Sequence, residues 1–282
     1  MMSLPGRRRT LALTVLSSVL ATALLAGAAD ATVVSTLPGG TWSVLPSSTS
    51  GGTIAVVSGP GTPPAGTGSL RLTVDSAADR AIIGSDLGEL TARSWADLTA
   101  SFSTYVPAGS TPSAAPSLRF AGFQELVPAA TGFTTLSVEA TRNGTVTPGQ
   151  WQKWTLGPTT IVWQSNATDG GFCIQSAPCT FAQFVARYPT GGWGEAQLGL
   201  GSGVPGPESG YVDAVTISDG PQSSFTDFDP PASPTPTPTP TRPGGAKPTL
   251  PVTGQSDELA LGLIAGLLLT FGSGLVLATR RR

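Results

Sequence analysis

Gly68-Ser69-Leu70-Arg71-Leu72-Thr73-Val74-Asp75 places three aliphatic side chains on alternate positions, with Arg71, Thr73 and Asp75 on the others. Successive side chains of an extended strand point to opposite faces, so Leu70, Leu72 and Val74 form a buried row and their neighbours face water. The same alternation recurs at Leu98, Ala100 and Phe102 against Thr99, Ser101 and Ser103. Further runs of this kind lie at residues 53–58, 117–123, 133–140, 151–156, 196–200 and 211–217, separated by Gly, Pro and Ser. About ten short strands with almost no helical period predict an all-β fold, a two-layer antiparallel sandwich with jelly-roll connection.

One helix interrupts the pattern. Phe181, Phe184, Val185 and Tyr188 fall at i, i+3, i+4 and i+7, Thr180 is a suitable N-cap, and Pro189 ends the turn. This short helix is expected to pack as a lid on the sandwich edge. Cys173 and Cys179 are the only cysteines, and their even number in an exported chain predicts a disulfide. Closing a seven-residue ring stabilises the fold by about 2.4 kcal/mol on loop entropy alone.

Outside residues 32–229 the sequence changes character. Arg7, Arg8 and Arg9 precede an uncharged apolar run, and Ala29 and Ala31 supply small residues at a cleavage site, so residues 1–31 read as a secretory signal peptide. Residues 230–249 are rich in Thr and Pro, which alternate over 234–241, cannot form ladders and favour polyproline II, a stalk. Residues 259–279 form an apolar run long enough for a transmembrane helix. Arg280, Arg281 and Arg282 follow it as a cytoplasmic tail and stop-transfer signal.

Between stalk and span stands Leu250-Pro251-Val252-Thr253-Gly254. Pro251 forces Leu250 into an extended conformation and removes an amide donor, so the pentapeptide stays presented. With a polar spacer, an apolar span and an arginine tail after it, the segment resembles the Leu-Pro-x-Thr-Gly sorting signal of Gram-positive surface proteins. The resemblance implies that a sortase cuts between Thr253 and Gly254 and joins the Thr253 carboxyl to peptidoglycan. The chain would then be the substrate of that reaction and not its catalyst, extracellular and wall-anchored, and membrane-spanning only before sorting.

Composition narrows what the body does. The chain has no histidine, which removes Ser-His-Asp and Cys-His catalysis and histidine metal sites. Residues 32–229 carry 14 acidic and seven basic side chains, a net charge of −7, so nucleic acid and anionic wall polymers are poor partners on charge. The stretches 59–70, 147–154, 179–183 and 210–215 resemble jelly-roll modules of secreted actinobacterial proteins that look like carbohydrate-binding modules. The resemblance implies a glycan ligand on a sheet face or loop rim, and a structural calcium ion in some members.

Six tryptophans (Trp42, Trp95, Trp151, Trp154, Trp163 and Trp193) are available either for packing or for stacking on sugar. Trp151 and Trp154 stand three apart, so a strand sends them to opposite faces. Asp213 shares its phase with Tyr211, Val215 and Ile217, an otherwise apolar row, and needs a partner there. It is a weak candidate metal ligand; without a neighbouring Asp-x-Asp cluster, backbone amides are the better partner, and no cofactor is expected. Glu125, Glu139 and Glu195 lie on or near strands, yet the Glu-x-Asp-x-x-Glu arrangement of jelly-roll glucanases is absent. The expected order of readings is a binding module, then a structural or shielding wall protein, then a glycan hydrolase.

Overall fold

The computed structural model describes residues 30–232, apart from 50, 87–92, 127–128 and 202. The strands are β1 (Asp30–Val33), β2 (Trp42–Val44), β3 (Gly52–Ser58), β4 (Gly68–Val74), β5 (Arg80–Asp86), β6 (Arg93–Ser94), β7 (Leu98–Tyr105), β8 (Ser117–Glu125), β9 (Thr131–Val138), β10 (Trp151–Leu156), β11 (Ile161–Gln164), β12 (Cys179–Thr180), β13 (Gly192–Gly201), β14 (Glu208–Asp219) and β15 (Ser223–Asp227). Two α-helices are interspersed, α1 (Ala140–Asn143) and α2 (Phe181–Arg187), with single 3-10 turns at Trp95–Asp97 and Pro112–Ala114.

These strands form two sheets. In the first, β14 is the spine. It pairs β7 along one edge and β4 then β15 along the other; β10, β3 and β1 extend the sheet outward. In the second, the order is β12-β11-β9-β8-β13-β5-β2, with β6 also on β13. The predicted row Leu70, Leu72 and Val74 is fully buried between the sheets, facing Leu118, Phe120, Leu136, Val138 and Leu198 of the second. The prediction of a β-sandwich core therefore holds.

Fifteen strands are described where about ten are expected, and three further features depart from the sequence reading. The pairing is not wholly antiparallel, because β1 runs parallel to β15, Ala31 opposite Phe225. A second short helix, α1, follows β9; Arg142 Nε meets Glu139 Oε2 at 2.6 Å and the Asn143 amide bridges Glu139 O and Ile161 O, which fixes a turn too short to show helical period. The third departure is a bulge in β14. Ala214 has φ of 51°, and the register against β7 slips between Asp213 and Thr216. One extra residue reverses which face the following side chains take. Val215 and Ile217 therefore enter the core while Tyr211 and Asp213 face outward, and the single phase expected for 211–217 is corrected.

α2 follows its sequence reading closely. Thr180 Oγ1 accepts from Gln183 N and the Gln183 side chain returns to Thr180 N, a capping box. Phe181 and Phe184 are buried, and Phe184 meets Trp95 edge-on at 5.3 Å and Tyr188 at 5.1 Å. The loop before it is closed by the predicted Cys173–Cys179 disulfide, so the short helix is held at both its entry and its packed face.

Ala31 lies within β1, whereas Ala29 and most of the signal segment lie outside the described residues. So do the stalk from residue 233, Leu250 to Gly254, the 259–279 run and Arg280 to Arg282. Among the described residues no helix is long and apolar enough to cross a membrane.

Candidate functional site

Each sheet has one face in the core and one turned away from it, and the two outward faces differ in chemistry. On the first sheet, paired residues set Trp151, Tyr105, Tyr211 and Arg71 side by side across β10, β7, β14 and β4. The Tyr105 ring lies 5.6 Å from Trp151 and 6.0 Å from Tyr211, with interplanar angles of 49° and 83°. These angles are those of rings packed on one another, not of a flat platform. Trp151 Nε1 donates to Pro60 O at 2.9 Å, which ties the β3–β4 loop over this end of the row.

The same loop explains Asp213. Ala65 N donates to Asp213 Oδ2 at 2.9 Å and Phe228 N to Oδ1 at 3.3 Å. The carboxylate is fully buried, so it is on the outward face and yet out of water. Burial pushes its pKa up to about 6; the amides of Ala65, Ala214 and Phe228 pull it down, and neighbouring Asp227 raises it. Among the described residues no group of three or more acidic or sulfur side chains is placed to share a metal ion.

A raised carboxyl pKa has a signed consequence. The folded chain holds this proton more tightly than the unfolded chain, so stability falls as pH rises from about 4 to about 6. A shift of this size amounts to about 3 kcal/mol at neutral pH. Asp213→Asn should lack that slope. The stability of the native protein relative to the variant, measured by urea unfolding, is expected to decline by up to about 3 kcal/mol between pH 4 and pH 7. A difference that stays level over that range would contradict the assignment.

On the second sheet the outward row runs Trp163, Ser137, Arg119, Gln197 and Gly84 across β11, β9, β8, β13 and β5. Ser117, Ala121, Ser137 and Gly199 make a floor of small residues, and longer side chains rise around it. Long side chains fold over the two glycines of this face. A Cβ on Gly199 would stand 3.1 Å from the Arg119 guanidinium carbon, and one on Gly84 would stand 2.8 Å from Glu195 Oε1. The result is a trough that continues into a cavity of about 140 Å³ lined by Ser113, Ser117, Arg119, Glu139 and Thr141, among others.

The trough combines groups that recognise polyhydroxylated ligands. Trp163 is half-buried, and its Nε1 is out of water with no partner among the described residues, so what the ring offers outward is carbon surface and not that N–H. Gln197 Nε2 donates to Glu195 Oε1 at 2.7 Å and Arg119 Nε to Ser117 Oγ at 2.8 Å. Planar amide, guanidinium and carboxylate groups held this way offer donors and acceptors in fixed directions beside an aromatic ring.

The sequence singles out some of this site and misses its centre. Trp163, Glu139 and Glu195 are among the sequence candidates, whereas Arg119 and Gln197 are not. The signal for these two is present in the alternation of 117–123 and 196–200, but only the pairing register brings them together. Trp42, Trp95 and Trp193 are fully buried, and Trp154 is also buried, its Nε1 donating to Thr104 Oγ1 at 2.8 Å. Trp154 inward and Trp151 outward is the split that their spacing requires.

No protein-family profile and no curated protein matches the chain. Several solved structures resemble it. A family 11 carbohydrate-binding module from Clostridium thermocellum, in complex with a β-1,3-1,4-mixed-linked tetrasaccharide, aligns with 64% of this chain and 90% of its own at 11% identity and a TM-score of 0.35. A carbohydrate-binding module from Caldicellulosiruptor saccharolyticus, in complex with mannohexaose, aligns with 60% and 83% at 11% identity and a TM-score of 0.28. An arabinose-bound α-L-arabinofuranosidase aligns with 63% of this chain at 13% identity and a TM-score of 0.33, and the chain spans only 22% of that enzyme. Likeness at this level identifies no ligand, and the functional reading rests on the chain's own residues.

Proposed function

We propose that this is a wall-anchored surface protein whose sandwich binds glycan in the trough of the second sheet. One observation carries the binding half of the reading: Trp163, Ser137, Arg119 and Gln197 lie in one register row on an outward sheet face. Aromatic stacking and oriented polar groups are what a sugar ring requires, an apolar face against a ring and hydroxyls against planar donors and acceptors. We assign Asp213 to the backbone amides it already receives, not to a structural calcium ion.

The anchoring half rests on the order of segments along the chain. Export signal, body, Thr-Pro stalk, Leu250 to Gly254, apolar run and arginine tail stand in the sequence a sortase substrate needs. In this reading the Thr253 carbonyl becomes the acyl group passed to an amine of the peptidoglycan precursor. Thr253→Ala is expected to remain in the membrane fraction, with no covalent attachment to wall after muramidase digestion. Wall-linked Thr253→Ala protein would remove the sorting assignment.

A structural or shielding role is the second reading, and one observation favours it: Trp42, Trp95, Trp154 and Trp193 are all buried in packing. Binding assays with Trp163→Ala and Trp151→Ala separate the possibilities. Loss with Trp163→Ala alone supports the trough. Loss with Trp151→Ala alone places the ligand on the first sheet, and no binding by the native protein to any glycan leaves the structural role.

A further inference from the structure

The body has seven basic side chains, and three of them meet carboxylates directly. Arg93 reaches Asp219 at 2.6 Å, Arg142 reaches Glu139 at 2.6 Å, and Arg187 reaches Asp169 at 2.7 Å. Arg119 sits at the centre of the trough with no carboxylate at ion-pair distance among the described residues. It is half-buried, and burial lowers the pKa of its guanidinium; Glu139 acts to raise it and Arg80, of like sign, to lower it.

The carboxylates that could neutralise Arg119 are engaged elsewhere. Glu139 Oε2 holds Arg142 at 2.6 Å, and Glu195 Oε1 accepts Gln197 Nε2 at 2.7 Å. Arg119 Nε is used on Ser117 Oγ. Its two terminal nitrogens lie over Gly199, at 3.4 Å and 3.3 Å from where a Cβ would stand, and they belong to the wall of the cavity. Among the described residues the Arg119 guanidinium makes one hydrogen bond, the one from Nε, and the side chain lines that space.

Withdrawing a cation from water without a counter-charge costs several kcal/mol, and a planar guanidinium recovers most from a carboxylate met edge to edge. We propose, on the reading that the trough binds glycan, that its preferred ligand is an acidic sugar, a uronic acid whose carboxylate lies against Nη1 and Nη2 of Arg119. The net charge of −7 opposes a long polyanion at a distance. That repulsion is screened beyond about 8 Å at physiological salt, whereas the contact with Arg119 is local. The ligand is therefore a short acidic segment or a terminal uronate, not an extended polyuronate.

The test uses the full chain in detergent and tetrasaccharides of galacturonate, glucuronate and mannuronate, each beside its carboxyl-reduced neutral counterpart. Calorimetry should find at least one acid form bound tenfold or more tightly than its reduced form. Arg119→Lys keeps the charge without the fork and should lose most of that preference, and Arg119→Gln should lose all of it. Equal affinity for acid and reduced forms overturns the acidic-sugar proposal while leaving glycan binding in place. So does binding of neutral glycans alone. Absence of binding to every acidic and neutral glycan removes both. The acid-versus-reduced comparison is made on the native protein, so misfolding of a variant leaves it intact.

Discussion

Trp193→Ala is expected to cost about 4 kcal/mol of stability, a large share of what holds a domain of this size together. Trp193 is fully buried on β13, where it meets Phe120 edge-on at 5.1 Å and lies under the Arg93 guanidinium at 5.6 Å. Its surroundings cannot collapse easily. Gly122 opposite it has no room for a Cβ, which would stand 2.7 Å from Trp193 Cα, and Trp95 closes the same side. Alanine there leaves a cavity bounded by rigid strands, the condition under which truncation costs most. Trp193→Phe is the informative control. Trp193 Nε1 is buried without a partner, so phenylalanine retains much of the ring contact and removes an unsatisfied donor. The urea midpoint should fall steeply for alanine and by much less for phenylalanine. Similar losses for the two variants would mean that the ring packing is not what the side chain contributes.

The second large effect concerns binding. Trp163→Ala and Arg119→Gln should each weaken glycan affinity about 30-fold or more, the loss expected when a central anchor of a site is removed. The two act through different physics, loss of a stacking surface and loss of a directed charged donor. They share a row with β9 between their strands, and one ligand spanning both would couple them, so their effects should not simply add. Lys153→Ala provides the reference, since this exposed lysine belongs to the outward face of the first sheet, opposite Ser103. Its affinity should match that of the native protein. A comparable loss in Lys153→Ala would point to the other face or to a general charge effect.

Much of the fold is legible in local alternation. Leu70, Leu72 and Val74 announce a half-buried strand, and Thr180, Pro189 and the Phe181 stripe announce a capped helix. What escapes is set by pairing over long distances. β1 has only four residues and stays in the fold because its partner is the last strand, 194 residues on at Ser224. β5 carries Ala81, Ile82 and Ile83 in succession, and all three are buried. Successive side chains point to opposite faces, so burial of all three leaves no alternation to read. The bulge at Ala214 is a third case, since an alanine at positive φ has no sequence signature and reverses the facing of Asp213 relative to Val215.

The candidate site shows the same limit. Arg119 and Gln197 are 78 positions apart, directly paired across β8 and β13. Neither carries a motif of its own. Each reads as an ordinary polar residue on the water side of a strand, and it is register that assembles them with Trp163 and Ser137 into one row. The proposed sorting signal, Leu250 to Gly254, is the opposite case, legible as one contiguous string of residues.

The central claim is that ligand meets this protein on the outward face of the second sheet. Hydrogen exchange of the full chain, compared with and without a saturating glycan that it binds, addresses that claim directly. Added protection should concentrate on β8, β9, β11 and β13 and on the turn at Glu139, leaving β7, β10 and β14 unchanged. Protection centred instead on Tyr105, Trp151 and Tyr211 would contradict the account.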